Sequence, residues 1–301
     1  MVPVKYTELS DSECAIAQAL GVVGEWWTLL IVRDVAGGLH RFDELHAELG
    51  LSRRILSERL AALVRHGVLA RRLYRERPPR YEYYLTPTGQ GLLPVLVSLQ
   101  DWASRYVLGD GSLTATTRPR SVEAQRVRRL VGTKIPEMTL IDTAGTPRDP
   151  VSGQEWTVIY CFPGAYAGPA GYPAGWGTIP GASGCTLESA AYRDRMSDFT
   201  ARGARVYGVS TQRPEDQAAF AARQRLPFPL LSDQEFRLAA GLRLPTFRAA
   251  GGDWLKRSTL LVRPDREIRG VLYPVPDPVG SVDDALALLD RQRTDAASRR
   301  A

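Results

Sequence analysis

A chain of 301 residues with 44% hydrophobic and 24% charged residues has the composition of an ordinary globular protein and is long enough for two domains. No apolar run approaches the roughly 20 residues that span a bilayer, and the first residues lack the charged-then-apolar pattern of a signal peptide. A cytoplasmic chain with no membrane partner is expected. Three cysteines, an odd number, do not make a disulfide framework.

The net charge of +6 is unevenly spread. Residues 1–112 hold 13 Lys/Arg and 13 Asp/Glu, yet residues 51–81 hold 9 Arg against 2 Glu, or +7 locally. Residues 113–135 hold 6 basic residues against 1 acidic, or +5. Phosphate attraction is screened within about 10 Å, so a concentrated basic segment argues for nucleic acid better than global charge does.

In chain order, the periodicity predicts one helix from Cys14 to Val35, ended by Gly37-Gly38. A short amphipathic helix follows from Arg41 to Leu49, broken by Gly50. Ser52 caps the next helix, which runs to His66 with Leu56, Leu60 and Leu63 inward and Arg53, Arg54, Ser57 and Glu58 outward. Val68–Tyr74 and Tyr81–Thr86 form a hairpin whose tip carries Arg75, Arg77 and Arg80. A helix from Thr88 to Leu108 closes this half.

Helix, short helix, capped helix and basic hairpin is the order of a winged helix-turn-helix. The capped helix would enter the major groove and the hairpin would track the backbone. Arg41, Arg53, Arg54, Ser57, Arg75, Arg77 and Arg80 are the candidate contacts to double-stranded DNA, undivided between phosphate and base-edge roles.

The polar stretch Gly109–Ser112 marks the expected domain boundary, and Val122–Leu130 reads as a basic connecting helix. Beyond it, strands at Thr157–Phe162, Arg205–Ser210 and Ser258–Val262 alternate with helices near Thr186–Ala201, Pro214–Arg223 and Val282–Leu289. The whole is an α/β protein of two domains, a winged helix-turn-helix followed by a second unit of alternating strands and helices. The expected division is 1–112 for DNA binding, 113–129 as a basic linker, 130–291 as the second domain and 292–301 as a disordered tail. His40, His46 and His66 share no metal spacing with the cysteines, so no metal is expected.

The strings CAIAQALGVVGEWWTLLIVRDV, RFDELHAELGLSRRILSERLAALVRHGVLARRLY, PPRYEYYLTPTGQGLLPVL and LQDW resemble the HxlR family of bacterial regulators across Cys14 to Trp102. The resemblance implies a homodimer built on the first and last helices, with Trp26, Trp27 and Trp102 in core or dimer positions. Glu25 departs from the basic residue the family often has before the tryptophan. Some such regulators sense oxidants through a cysteine at the position of Cys14, whose other reading is a small buried residue opening a helix.

The strings WTVIYCFP, GCTLESAAYRD, RVYGVSTQRPEDQAAFAARQRLPFPLLSD and KRSTLLV resemble the peroxiredoxin-like AhpC/TSA and redoxin families over about Leu130 to Leu289. That resemblance implies a thioredoxin-like fold and a reactive thiolate at Cys185 in the first turn of a helix, with Arg257 beside it. It also implies a hydroperoxide substrate, no bound cofactor, and reduction by an external thiol. Three departures stand out. A Gly/Pro/Ala-rich insertion, 164–183, separates Pro163 from Cys185, and Ala182 occupies the place of the usual threonine, leaving Thr178 and Ser183 as candidate hydroxyls. Position 190 is alanine, so no local resolving cysteine exists. Cys161 lies within an apolar strand and is expected to be buried and inert. Three functions stay open: a redox-responsive regulator, an uncoupled one-cysteine thiol peroxidase on a regulator, and a regulator whose inactive redoxin domain serves in dimerisation or docking.

Overall fold

The computed structural model describes residues 13–168 and 171–298. The chain divides into two compact units, 1–96 and 97–301.

In the first unit the expected opening helix is two: α1 (Ala15–Val23) and α2 (Trp26–Ala36). Glu25 is extended, and a Cβ on Gly24 would stand 2.3 Å from the Leu20 carbonyl oxygen, so the chain turns there where the periodicity continues. Then come α3 (Phe42–Leu49) and α4 (Arg53–Arg65). The Glu44 carboxylate accepts from the His40 and Arg41 amides at 3.0 and 2.9 Å, and the Ser52 hydroxyl accepts from the Ile55 amide at 3.3 Å. These caps satisfy donors a helix start leaves free. β1 (Leu69–Arg75) and β2 (Arg80–Leu85) form the antiparallel wing, and α5 (Pro87–Gln90) follows. The core gathers Ile31, Val32, Leu45, Leu56, Leu60 and Leu63, all fully buried.

The last helix of the winged half, α6 (Leu93–Tyr106), begins in the first unit and ends in the second. The division falls after Leu96, inside α6 and 16 residues before the expected boundary at 112. Its cause lies in side chains that no local pattern reveals. The Ser98 hydroxyl donates to Asp253 at 3.0 Å, the Gln100 amide to the Leu244 carbonyl at 2.7 Å, and the Arg248 amide to Asp101 at 3.1 Å. Residues 113–129 also belong to the second unit's body. Ala115 is buried, and α7 (Val122–Arg128) sets Glu123 3.1 Å from the buried Lys256 ammonium.

The second unit is a seven-stranded sheet in the order β11-β10-β5-β6-β7-β3-β4. Its strands are β3 (Leu140–Asp142), β4 (Pro147–Arg148), β5 (Trp156–Cys161), β6 (Ala204–Ser210), β7 (Leu230–Ser232), β10 (Ser258–Val262) and β11 (Ile268–Leu272). β5, β6 and β7 run parallel, and the remaining pairings are antiparallel. Helices α8 (Cys185–Asp194), α9 (Met196–Ala201), α10 (Pro214–Gln224) and α11 (Arg237–Gly241) connect them, and a separate hairpin joins β8 (Thr246–Ala249) to β9 (Gly252–Leu255). This is the expected thioredoxin-like α/β unit. β5 is buried from Thr157 to Cys161, which is why it reads as an unbroken apolar run. Tyr160 stacks on Tyr192 at 4.3 Å in the main core, with Phe162, Phe199 and Phe220 beside them.

α12 (Gly280–Ser298) corrects the expected disordered tail, for residues 292–298 are helical. Arg269 donates to Gln292 at 3.2 Å and Arg293 to the Arg202 carbonyl, so this end is tied to the body by bonds invisible in a polar, charged string. Residues 299–301 lie outside the described residues. No single described helix is long and apolar enough to cross a membrane.

Candidate functional site

In the first unit, α4 and the wing carry the basic residues the sequence singles out. Arg53, Arg54 and Ser57 are exposed on α4, and Arg75, Arg77 and Arg80 are exposed on the wing. The structure joins two of them through a residue that no motif marks. Asp43 of α3 accepts from Arg53 at 3.1 Å and from Arg80 at 3.2 Å. Arg53 also lies over the Phe42 ring at 4.9 Å. Arg54 pairs with Glu58 at 2.9 Å, and Arg75 donates to the Arg77 carbonyl at 3.2 Å. Exposed ion pairs are worth only about 0.2–1 kcal/mol, so a phosphate can displace these carboxylates.

Arg41 has a different setting. It donates to Glu82 at 3.0 Å and stacks on Tyr74 at 4.7 Å, fastening the start of α3 to the wing. Arg72 and Tyr84 also donate to Glu82, at 2.8 and 2.7 Å. Led by the Arg72 hydrogen bond, these donors pull the Glu82 carboxyl down to about 2. Glu82 is only 9% exposed, and an acid within the strand of a basic hairpin is the sign in the sequence that it organises its neighbours.

In the second unit, Gly184 ends the insertion and Cys185 opens α8. Gly184 needs its left-handed backbone, φ 104°, and a Cβ there would stand 2.8 Å from Pro278. Arg257 directs Nη2 to the Cys185 sulfur at 3.3 Å and to the Ser183 carbonyl at 3.0 Å, while Nη1 donates to Glu188 one turn along α8. The sulfur lies 3.6 Å from the Ala182 carbonyl, and Cys185 is 2% exposed. Burial pushes the Cys185 thiol up. Arg257 and the Gly164 amide oppose that push, and Glu188 adds to it. In this closed arrangement desolvation outweighs the cationic neighbour, so the sulfur is held as a thiol.

Neither candidate hydroxyl is bonded to the sulfur. The Thr178 hydroxyl donates to the Gly175 carbonyl at 2.7 Å on an exposed turn. Ser183 is exposed and offers its carbonyl to Arg257. The insertion instead supplies Tyr172, whose hydroxyl lies 3.3 Å from Thr186, and Trp176, buried edge-on to Trp254 at 5.1 Å. Cys161 is fully buried, and burial pushes its thiol up to about 12, which leaves it unreactive. Cys14 is exposed at the start of α1, which removes the reading of it as a small buried residue.

The buried Arg257–Glu188 pair is a structural commitment. Removing one partner of such a pair costs about 3–5 kcal/mol. Burial raises Glu188 to about 7 against the pull of Arg257. It raises Asp233 to about 7 as well, against amide donors from Leu238 and Ala239 at 2.9 and 2.8 Å. With Asp233 raised above its unfolded value, the folded unit holds a proton between about pH 4 and about pH 7 that the unfolded chain has lost, so this contribution to stability falls as pH rises through that window. Urea midpoints of the second unit measured across this range should decline with pH, and Asp233→Asn should flatten the slope. A midpoint that rises with pH would contradict these assignments.

Residues 22–110 match the HxlR-like helix-turn-helix family. A 93-residue stretch is 42% identical to an uncharacterized HTH-type transcriptional regulator of Mycobacterium tuberculosis, covering 31% of this chain and 59% of that protein. A 91-residue stretch is 40% identical to the uncharacterized HTH-type transcriptional regulator YvaP of Bacillus subtilis, covering 30% of this chain and 84% of YvaP. The chain belongs to the HxlR-like helix-turn-helix family. It spans 59% of the length of the mycobacterial relatives it matches. Within this HxlR-like protein, residues 178–271 match the AhpC/TSA family, so a peroxiredoxin-like unit follows the DNA-binding one. Among solved structures, Peroxidoxin BcpB from Mycobacterium tuberculosis is 27% identical, covering 54% of this chain and 96% of that one with a TM-score of 0.45. The Bacterioferritin Comigratory Protein of Xanthomonas campestris is 24% identical, covering 52% and 91% with a TM-score of 0.42. The matched HxlR-like stretch includes the whole of α6, so the family's last helix here ends in the redoxin unit.

Proposed function

We propose that this chain is a cytoplasmic, homodimeric transcription regulator whose affinity for double-stranded DNA responds to oxidation of Cys185 by a hydroperoxide. The observation that carries the reading is Arg257 Nη2 at 3.3 Å from the Cys185 sulfur at the first residue of a helix. When the site opens to solvent, the desolvation that holds the thiol falls away while Arg257 remains, and the thiolate becomes accessible. The thiolate attacks the peroxide O–O bond. A sulfur–oxygen bond forms, the alkoxide or hydroxide leaves and takes a proton, and Cys185 becomes a sulfenic acid. Two equivalents of an external thiol then return it to the thiol, releasing water and a disulfide. No cofactor enters these steps.

A second reading, a redoxin body without turnover that serves in docking, is favoured by Ala182 in place of a hydroxyl and by the 2% exposure of Cys185. One experiment separates the two. DNA affinity is measured for reduced protein and for protein treated with equimolar hydrogen peroxide, with each cysteine mapped by mass spectrometry. Changed affinity with Cys185 oxidised supports the sensor. Oxidised Cys185 with unchanged affinity leaves an uncoupled peroxidase, and unoxidised Cys185 supports the docking body.

The dimer rests on an apolar stripe along α6. Val95, Leu99, Trp102 and Tyr106 recur at helical spacing, and Trp102 is 54% exposed. A second copy of this chain covers that stripe and presents two α4 helices to one operator. Trp102→Glu should give a monomer by light scattering and weaken operator binding at least tenfold. A dimer that persists would reject this interface.

A further inference from the structure

The Cys185 site lacks the hydroxyl its position calls for, yet a buried amide grips the chain just after Pro163. Gln212 follows β6 and is 4% exposed. Its Oε1 accepts from the Ala165 amide at 2.7 Å, and its Nε2 donates to the Ala165 carbonyl at 2.9 Å. One side chain thereby grips both polar groups of a residue that belongs to no helix or strand. Gly164 is packed between Gln212 and Trp254, so that a Cβ on it would stand 3.3 Å from Gln212 Cδ and 3.5 Å from the Trp254 ring. Ala165 packs in the same buried core as Cys185, and the Gly164 amide pulls the Cys185 thiol down against the push of burial.

Gln212 is itself fixed by buried polar groups at the ends of β6 and β7. The Ser232 hydroxyl donates to the Gln212 carbonyl at 2.6 Å, and the Ser210 hydroxyl lies 3.3 Å from Gln212 Oε1. Gln217 donates to that same Ser210 hydroxyl at 2.8 Å. Buried polar side chains in series are costly where a member lacks a partner; here each of the four holds the next, and of their polar atoms Gln217 Oε1 is left without a partner.

We propose that Gln212 is a positioning residue of the Cys185 site, its carboxamide holding the turn at Pro163–Ala165 so that the Gly164 amide faces the sulfur. The role rests on the reading of Cys185 as the reactive thiol. With Ala182 unable to offer a hydroxyl, the thiolate is favoured by the Arg257 guanidinium at 3.3 Å and by the Gly164 amide. A hydrogen bond to a charged group is worth about 1.5–3 kcal/mol, and 1.36 kcal/mol corresponds to one pH unit, so the effect is large enough to read.

The experiment is the pH dependence of iodoacetamide alkylation at Cys185 in the full-length protein, mapped by mass spectrometry. Gln212→Met keeps the length of the side chain and removes both hydrogen bonds to Ala165. Arg257 and Glu188, the charged groups at the sulfur, are untouched, so their influence is common to every variant. The midpoint for Cys185 should rise by about one pH unit, with alkylation at mildly alkaline pH about tenfold slower. Ser232→Ala loosens the Gln212 backbone but spares the carboxamide, and it should lower thermal stability while leaving the midpoint in place. A folded Gln212→Met whose midpoint is unchanged or lower overturns the proposal.

If Gln212→Met does not fold, Gly164→Ala carries the test, because its Cβ wedges the turn away from Gln212. The same upward movement supports the proposal, and none overturns it. The readout needs no peroxide. A midpoint that moves in protein unable to consume peroxide keeps the positioning role and sinks the peroxidase reading.

Discussion

Cys185→Ser abolishes peroxide consumption and any peroxide-dependent change in DNA affinity, while the fold and the affinity of the reduced protein stay intact. The chemistry permits no substitute. Cys161 is fully buried with its thiol pushed up to about 12, and Cys14 belongs to the first unit whereas Cys185 and Arg257 belong to the second. Serine is close in size to cysteine and can accept from Arg257, so the buried cation keeps a partner and Glu188 keeps its ion pair. The expected result is complete loss of turnover with a urea midpoint near that of the parent. Turnover unchanged from the parent would remove Cys185 from the chemistry. Sensing that survived in Cys185→Ser would move attention to Cys14. Arg257→Met separates position from charge: it strips the cation from both Cys185 and Glu188, so it should lose turnover and stability together.

The string GCTLESAAYRD places Cys185 at a helix start, and KRSTLLV puts Arg257 immediately ahead of β10, because both motifs are local. Their meeting at 3.3 Å follows from β5 and β10 pairing side by side. The gap in that legibility lies in the insertion. Ala182 shows which hydroxyl is missing, but nothing near 164–183 in sequence points to Gln212, which arrives from the far end of β6. The same reason hides Asp43, whose two arginine partners lie 10 and 37 residues away in the chain. Helix ends are legible where a cap is chemical, as at Ser52, and obscure where the break is steric, as at Gly24. The unit boundary departs from the polar loop because the second half of α6 belongs to the second unit, where Ser98, Gln100 and Asp101 bond to Asp253, Leu244 and Arg248. A polar loop is visible in a sequence, whereas a helix shared by two units is not.

Arg53→Ala combined with Arg54→Ala lowers operator affinity by about 1–3 kcal/mol for each arginine that reads the DNA, which is tenfold or more for the pair. Both residues sit in the first turn of α4, the part of a recognition helix that reaches the groove. Neither contributes to the core, and their ion pairs with Asp43 and Glu58 are exposed, so stability should hardly change. The salt dependence then assigns their roles. Removing a phosphate-bound arginine flattens the slope of log affinity against log salt by about 1 per residue and weakens all sequences alike. Removing one that reads base edges leaves more of the slope and relaxes the sequence preference. Arg80→Ala supplies the contrast, because Arg80 shares Asp43 with Arg53 but lies on the wing. It should flatten the salt slope without touching sequence preference. Affinity that survives the double substitution at physiological salt would mean that α4 does not enter the groove, and the DNA-binding surface would then have to be sought on the wing alone.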